Sequence, residues 1–176
     1  MLKHEDDLHL DLRTLSFRFV FAPPGPPKPA EALASYGANG SGTVQGAKDR
    51  DKQIQIEFWE RAAKEGFTDE RARASARKFR AEFDALDRRL ATQPYLMGEN
   101  LSVLDIAWFI YAHRLSLAGY PLARLHPRVG AWAENLGARP EFAKEIAMPP
   151  EAKERLEATR RAHAQAGKSL ELVAGF

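Results

Sequence analysis

The segment from 103 to about 118 constrains the fold most, because it is apolar on nearly every side of a helix. Its apolar residues are Val103, Leu104, Ile106, Ala107, Trp108, Phe109, Ile110, Tyr111 and Leu115. A surface helix carries one apolar stripe, whereas a helix that is apolar all round is buried. The run is interrupted by Asp105 and is far shorter than the roughly 20 residues that a membrane span requires. We therefore predict a helix at the centre of a bundle, with no membrane partner.

Ser102 and Asp105 stand three positions apart at the start of this helix. That spacing is typical of a capping box, in which each side chain bonds the other residue's backbone amide. A serine near an aspartate could also indicate a nucleophile, but no histidine follows at a motif distance. We therefore predict a structural capping box and no catalytic residue. Replacing Asp105 with Ala is expected to lower stability by about 1 to 2 kcal/mol.

Apolar residues recur at intervals of three and four in most of the remaining chain. They predict helices over 4–21, 47–65, 68–92, 127–139 and 150–165, with a short helical turn over 141–146. In the first of these, Leu8, Leu12, Leu15 and Phe19 form the apolar face. No stretch alternates with period two, so the predicted fold class is all-α.

Proline and glycine interrupt the helical pattern between residues 23 and 46. Proline lacks the amide hydrogen that a helix needs, and a long irregular stretch inside one domain is either functional or disordered. We predict a flexible surface loop here, in preference to a lid. The predicted organisation is one helical domain over 1–147 and a charged helical tail over 148–176 that is solvated and loosely attached.

Composition excludes several classes of function. The 26 Lys and Arg are nearly balanced by 24 Asp and Glu and are interspersed with them, so no basic stripe for nucleic acid is formed. The absence of cysteine removes disulfides, thiolate metal sites and a cysteine nucleophile, and it fits a cytoplasmic protein. The histidines are scattered and form no metal-binding motif, which predicts no metal site. They are His4, His9, His113, His126 and His163.

The stretch from Pro94 to Ala107, Pro-Tyr-Leu-Met-Gly-Glu-Asn-Leu-Ser-Val-Leu-Asp-Ile-Ala, resembles the signature that opens the central C-domain helix of glutathione transferases. Further matches follow in the family's order. They are Gly119-Tyr120-Pro121-Leu122, His126-Pro127, Trp132 and Arg139-Pro140-Glu141-Phe142. The resemblance covers about residues 68–147 and implies the family's all-helical C-terminal bundle.

The resemblance also implies a function. Full-length members place a thioredoxin-like domain first, which binds glutathione and activates its thiol, and this chain resembles only the half that follows. Residues 4–21 resemble the first helix of that half, so the chain begins where the linker between the domains would end. The resemblance implies a half that is inactive alone, in a parent enzyme of glutathione conjugation or glutathione-dependent cleavage. No cofactor is expected on this chain alone. The implied partners are a missing or separate thioredoxin-like domain and a second copy in a homodimer.

In the family, the first and central helices of this half line a cleft for the hydrophobic co-substrate. Carried onto this chain, the resemblance implies a site formed by Arg13, Phe17, Trp108, Tyr111 and Arg114. Alternatively, the three aromatic residues are ordinary packing and Arg13 is an exposed charge. A non-catalytic docking module is the alternative function. Such a module would have a polar surface where a transferase half has an exposed apolar one.

Overall fold

The computed structural model describes residues 2–21, 28–39, 43–44 and 46–176. The helices are α1 (Leu2–Ser16) with its π-helical continuation (Phe17–Phe21), α2 (Ala30–Ala38), α3 (Arg50–Glu65), α4 (Asp69–Arg89), α5 (Val103–Leu117), α6 (Leu122–Leu125), α7 (Pro127–Gly137), α8 (Pro140–Ile146), α9 (Pro150–Gln165) and α10 (Leu170–Ala174). Strands β1 (Thr43–Val44) and β2 (Ala47–Lys48) form a small antiparallel hairpin. The fold class is all-α, as predicted. None of the described helices is long and apolar enough to cross a membrane.

The described residues fall into two compact units. The bundle unit comprises Met1–Ala22 and Asp69–Phe176, and the inserted unit comprises Pro23–Thr68. The apolar periodicity of the first helix is confirmed, since Leu8, Leu12, Leu15 and Phe19 are all buried in the core of the bundle unit. On α4, Phe79, Phe83 and Leu86 are buried in the same core.

Two polar links join α1 and its continuation to α4. Arg18 pairs with Asp69 at 2.6 Å between Nη2 and Oδ1, and this hydrogen bond lowers the pKa of the Asp69 carboxyl. Asp11 accepts a hydrogen bond from the Ser75 hydroxyl at 2.7 Å and one from the Lys78 ammonium at 2.8 Å. These bonds satisfy polar groups beside the apolar seam and so fix the register of the two helices.

The Asp105 carboxylate is fully buried and accepts hydrogen bonds from three parts of the bundle unit. The predicted capping box is present, with the Ser102 amide donating to Oδ2 at 2.9 Å and the Ser102 hydroxyl at 2.6 Å. The Leu96 amide donates to Oδ1 at 2.8 Å, and the Trp132 indole Nε1 donates to the same oxygen at 3.1 Å. Asp105 therefore joins the start of α5 to the preceding turn and to α7.

Further residues of the sequence motifs meet around α4 and α6. The Tyr120 hydroxyl lies 2.8 Å from His126 Nε2, and the two rings stack with centroids 5.8 Å apart. On the other side of the imidazole, Nδ1 lies 3.2 Å from the half-exposed Asp84 carboxylate. Burial lowers the pKa of His126 and raises that of Tyr120. Both groups are therefore uncharged near neutral pH, which suits their position in the core.

Helix α5 lies less deeply than its composition predicts. Trp108, Phe109 and Leu115 are buried, but Val103 is 79% exposed and Ile106 is 43% exposed. The prediction of a fully central helix was wrong for this face. Composition shows that a helix is apolar on every side. It does not show whether each apolar face packs against other residues of the same chain.

The inserted unit corrects the predicted loop over 23–46. Residues 30–38 form α2, because the Ala-Glu-Ala-Leu-Ala run after Pro29 consists of good helix formers, and Leu33 is buried. Helix α3 begins at Arg50 rather than at residue 47, since the Asp49 carboxylate caps it by accepting the Lys52 amide at 2.9 Å. The parts of the predicted loop at 23–27, 40–42 and 45 lie outside the described residues.

The C-terminal residues correct the expectation of a loosely attached tail. Helix α10 packs on α4, and its Leu170 and Val173 belong to the core of the bundle unit. Arg73 donates to the Val173 carbonyl at 2.9 Å, and the last residue, Phe176, packs edge-on against Tyr120 at 5.1 Å. The predicted division at residue 147 stays a prediction.

The attachment of α10 predicts a contrast between two neighbouring leucines. Leu170 is 1% exposed and Leu172 is 62% exposed. Leu170→Ala should lower the free energy of unfolding by about 2 to 4 kcal/mol, because it leaves a cavity in the core. Leu172→Ala should change it by less than about 0.5 kcal/mol. Urea unfolding measures both, and equal effects would contradict the packing described.

Because Asp105 is buried, its substitution should lower the free energy of unfolding by more than the loss of a capping box alone would. Asp105→Ala leaves the Leu96, Ser102 and Trp132 donors without their acceptor. It should lower the free energy of unfolding by at least about 3 kcal/mol. Glu99→Ala, at an exposed position in the preceding turn, is the matched control and should be near neutral. If Asp105→Ala lowers the free energy of unfolding by only about 1 kcal/mol, Asp105 acts as a helix cap and nothing more.

Candidate functional site

A cavity of about 470 Å³ opens in the bundle unit between the end of α1, one face of α5 and the connection from α8 to α9. We call it the α1–α5 cavity. It is lined by Ser16, Val20, Phe21, Phe109, Ile110, His113, Arg114, Leu117, Glu145, Ile146, Ala147, Met148 and Pro149. Its volume lies in the range of small-molecule sites, which are apolar with a few placed polar groups.

Local helix geometry places these side chains. Residues three and four apart share one helix face, so Ile110, His113, Arg114 and Leu117 point from α5 to the same side. The π-helical segment that continues α1 carries Val20 and Phe21 to the cavity. Phe21 is 59% exposed and Ile110 is 47% exposed, so the cavity has an open apolar mouth.

Four polar groups line this apolar cavity. The Ser16 hydroxyl oxygen is buried and has no hydrogen-bond partner among the described residues. Arg114 and Glu145 supply opposite charges. Burial, and next the positive charge of Arg114, lower the pKa of His113, so its imidazole is neutral near pH 7. Its ring stacks on Phe109 with centroids 6.0 Å apart.

The structure separates the five residues implied by the resemblance. Arg114 lines the α1–α5 cavity. Phe17 packs against the cavity residue Phe21, with ring centroids 5.5 Å apart, while the Arg13 guanidinium lies 2.6 Å from His9 Nε2.

Trp108 and Tyr111 are buried in the core instead, where their rings lie 5.5 Å apart. The alternative of ordinary packing therefore describes these two residues better. Sequence reasoning missed Phe21 and Ile110. Each stands four positions from a residue that it named, Phe17 and Arg114 respectively, and this helical spacing was the available signal.

The polar groups of the cavity are few, and most of its lining residues are apolar. Ser16 has no hydrogen-bonded base, so its hydroxyl is not activated as a nucleophile. No group of three or more His, Asp or Glu side chains that could hold a metal occurs within the described part of the chain. The walls suit an apolar molecule whose polar end meets Arg114 or His113.

Comparison with known proteins gives the same family as the sequence motifs. Residues 57–135 match the family model of the glutathione S-transferase C-terminal domain. Over 74 residues the chain is 35% identical to glutathione S-transferase 4 of Zea mays. The matched segment makes up 42% of this chain and 33% of the maize protein. The chain thus spans about a third of the length of this curated relative. No solved structure matches the chain significantly. These matches support a C-terminal domain of the glutathione S-transferase family over residues 57–135.

The environment of His113 predicts a measurable coupling to Arg114. Arg114→Gln should raise the pKa of His113 by removing a nearby positive charge, yet leave it below its ordinary value because burial is the larger cause. NMR titration of the imidazole carbon-bound protons measures this shift. Arg155→Gln, on the exposed side of α9, should leave the pKa of His113 unchanged.

The direction of this shift also sets a pH dependence of stability. A folded-state pKa below the unfolded value means that the unfolded chain binds the proton first as the pH falls. The neutral His113 imidazole therefore makes its full contribution to the free energy of unfolding above about pH 6.5. This contribution is lost as the pH falls through the lowered pKa of His113. A pKa of His113 at or above the ordinary value would contradict the burial described.

Proposed function

We propose that this chain is the co-substrate-binding half of a glutathione S-transferase-like protein and is inactive alone. The α1–α5 cavity would hold the hydrophobic co-substrate, with Phe17, Phe21 and Ile110 as apolar contacts and Arg114 near its polar end. Trp108 and Tyr111 would support α5 from behind, and Arg13 would lie on the adjoining face of α1. Glutathione would be bound by a thioredoxin-like domain, either joined to the chain or separate.

The exposed apolar face of α5 is the observation that carries this proposal. Val103, Ile106 and Ile110 repeat at helical spacing, and all three are exposed. Ile110 also lines the α1–α5 cavity, so the face and the cavity are continuous. Contiguous exposed apolar surface marks an interaction site, because leaving it in water is unfavourable. A second domain packed on this face would both cover it and close the cavity.

The same face argues against a free-standing docking module. A module that functions alone is expected to carry polar residues where a second domain once packed. Val103 and Ile106 are apolar and exposed instead. The transferase half therefore accounts for the surface better than the alternative does.

The remaining parts of the proposal concern assembly, location and chemistry. We propose a homodimer and a cytoplasmic location, in keeping with the resemblance and with the absence of cysteine. The parent activity would be glutathione conjugation or glutathione-dependent cleavage. Activation of the thiol would come from the thioredoxin-like domain, because it needs a hydrogen-bond donor that lowers the thiol pKa.

Joining the chain to a thioredoxin-like domain tests the proposal. The chain alone should neither bind glutathione nor conjugate it to an electrophilic aromatic compound. A fusion with the thioredoxin-like domain of a glutathione transferase placed before residue 1 should gain conjugating activity. Ile106→Lys in the fusion should reduce this activity by about tenfold or more, because it places a charge in the domain interface.

Leu172→Lys is the matched control, since Leu172 is also apolar and exposed but lies on α10. It should leave the fusion as active as the unchanged one. Conjugation by the chain alone would contradict the proposal. Equal activity of the Ile106→Lys and Leu172→Lys fusions would show that the face of α5 does not receive the second domain.

A further inference from the structure

A second cavity, of about 490 Å³, lies in the bundle unit between α5, α6 and α7. We call it the α5–α7 cavity. Its walls include Pro121, Gly130, Ala133 and Gly137. These four residues are half-buried and keep part of their surface accessible. The cavity therefore offers apolar surface on which a ligand can rest.

The α5–α7 cavity adjoins the α1–α5 cavity. Phe109, His113 and Ile146 line both, and they are the only lining residues that the two cavities share. Phe109 is buried, whereas His113 and Ile146 are half-buried. These three side chains therefore form a wall between the cavities, and His113 and Ile146 are its accessible part.

Of the two accessible residues, Ile146 decides whether the cavities join. His113 belongs to α5, which contributes residues to both cavities, whereas Ile146 is the shared residue that comes from another helix, α8. Shortening its side chain would remove the part of the wall that α8 supplies. The volumes of about 470 and 490 Å³ would then become one cleft.

The surrounding packing fixes the position of Ile146. Its Cδ1 lies 3.6 Å from the point at which a Cβ on Gly137 would stand, so its side chain reaches α7. One turn earlier in α8, Phe142 packs edge-on against Phe109 with ring centroids 4.9 Å apart. The prolines at 149–150 follow, and their fixed φ restricts the connection to α9. The wall is therefore rigid at Ile146.

We propose that Ile146 determines the length of the co-substrate, an inference that rests on the proposed function of the α1–α5 cavity. The cavity takes compact electrophiles with a single ring or a short chain, and their apolar end stops at Ile146. The far end of a longer molecule stays in water, where it gains no free energy from burial. Ile146 contacts the ligand without reacting, so it is a specificity-determining residue.

A series of primary alcohols from butanol to nonanol tests this inference in NMR titrations of the whole chain. The methyl signals of Ile110 and Leu117 report on the α1–α5 cavity alone, since neither residue lines the α5–α7 cavity. In the unchanged chain, each added methylene should raise the affinity about fourfold until the alcohol reaches Ile146. Further methylenes should add nothing. We call the chain length at which the affinity stops rising the length limit.

Ile146→Ala should raise the length limit by at least about two carbons, because the shortened side chain opens a passage into the α5–α7 cavity. With the longest alcohols, the signal of Ala133 should then respond at the same concentrations as that of Ile110. Ile146→Phe should lower the length limit by about one carbon or more, because its larger side chain fills part of the α1–α5 cavity.

Met148→Ala is the matched control, because Met148 lines the α1–α5 cavity but not the α5–α7 cavity. It should weaken the binding of the whole series through the loss of a contact, yet leave the length limit unchanged. The amide signals of the core residues Phe79 and Leu115 verify in the same spectra that each variant is folded.

The outcomes separate this inference from the proposed function. If short alcohols bind but the length limit is the same in the unchanged chain, Ile146→Ala and Ile146→Phe, the role of Ile146 is overturned and the co-substrate site stands. An affinity that rises through the whole series in the unchanged chain also overturns that role. If hexanol does not shift Ile110 and Leu117 saturably up to about 20 mM, the inference and the proposed co-substrate site both fail.

Discussion

The buried carboxylate of Asp105 is the interaction on which the bundle unit depends. An ionised group without hydrogen bonds would be strongly unfavourable in the core, so the surrounding donors must converge on it. The donors from Ser102, Leu96 and Trp132 do so, and they orient α5 against the preceding turn and α7. The orientation of α5 in turn places Trp108 against Phe83 and leaves the opposite face of the helix open to solvent.

Local patterns predicted much of the fold. The helical spacing of Leu8, Leu12 and Leu15 indicated the buried face of α1, and the spacing of Ser102 and Asp105 indicated the cap of α5, because both depend on residues near one another in sequence. The bonds from Leu96 and Trp132 to Asp105 were not predictable in this way, since they join separate segments. The core position of Leu170 was likewise not predicted, because the segment after residue 148 is rich in charged residues. A few apolar residues are nevertheless enough to attach a short helix to the core.

The candidate site was predicted only in part, for a geometric reason. The resemblance identified the two helices that form the α1–α5 cavity, but it did not identify which face of each helix turns toward it. A helix turns about 100° per residue, so Trp108 and Ile110 face nearly opposite ways although they are close in sequence. Arg114 shares its face with Ile110 and lines the cavity, whereas Trp108 and Tyr111 lie in the core. The packing of α1 and of the α8–α9 connection determines which face of α5 lines the cavity.

The position of the inserted unit has a consequence for how the bundle folds. Helix α1 packs along α4, yet the whole of Pro23–Thr68 separates them in sequence. Bringing α1 onto α4 therefore closes a long loop before the contacts between them form, which slows folding relative to two helices joined by a short turn. The thermodynamic penalty grows only logarithmically with loop length, and a loop half as long would save only about 0.6 kcal/mol. The connection between these two helices can therefore lengthen or shorten among related chains with little loss of stability, while the rate of folding changes.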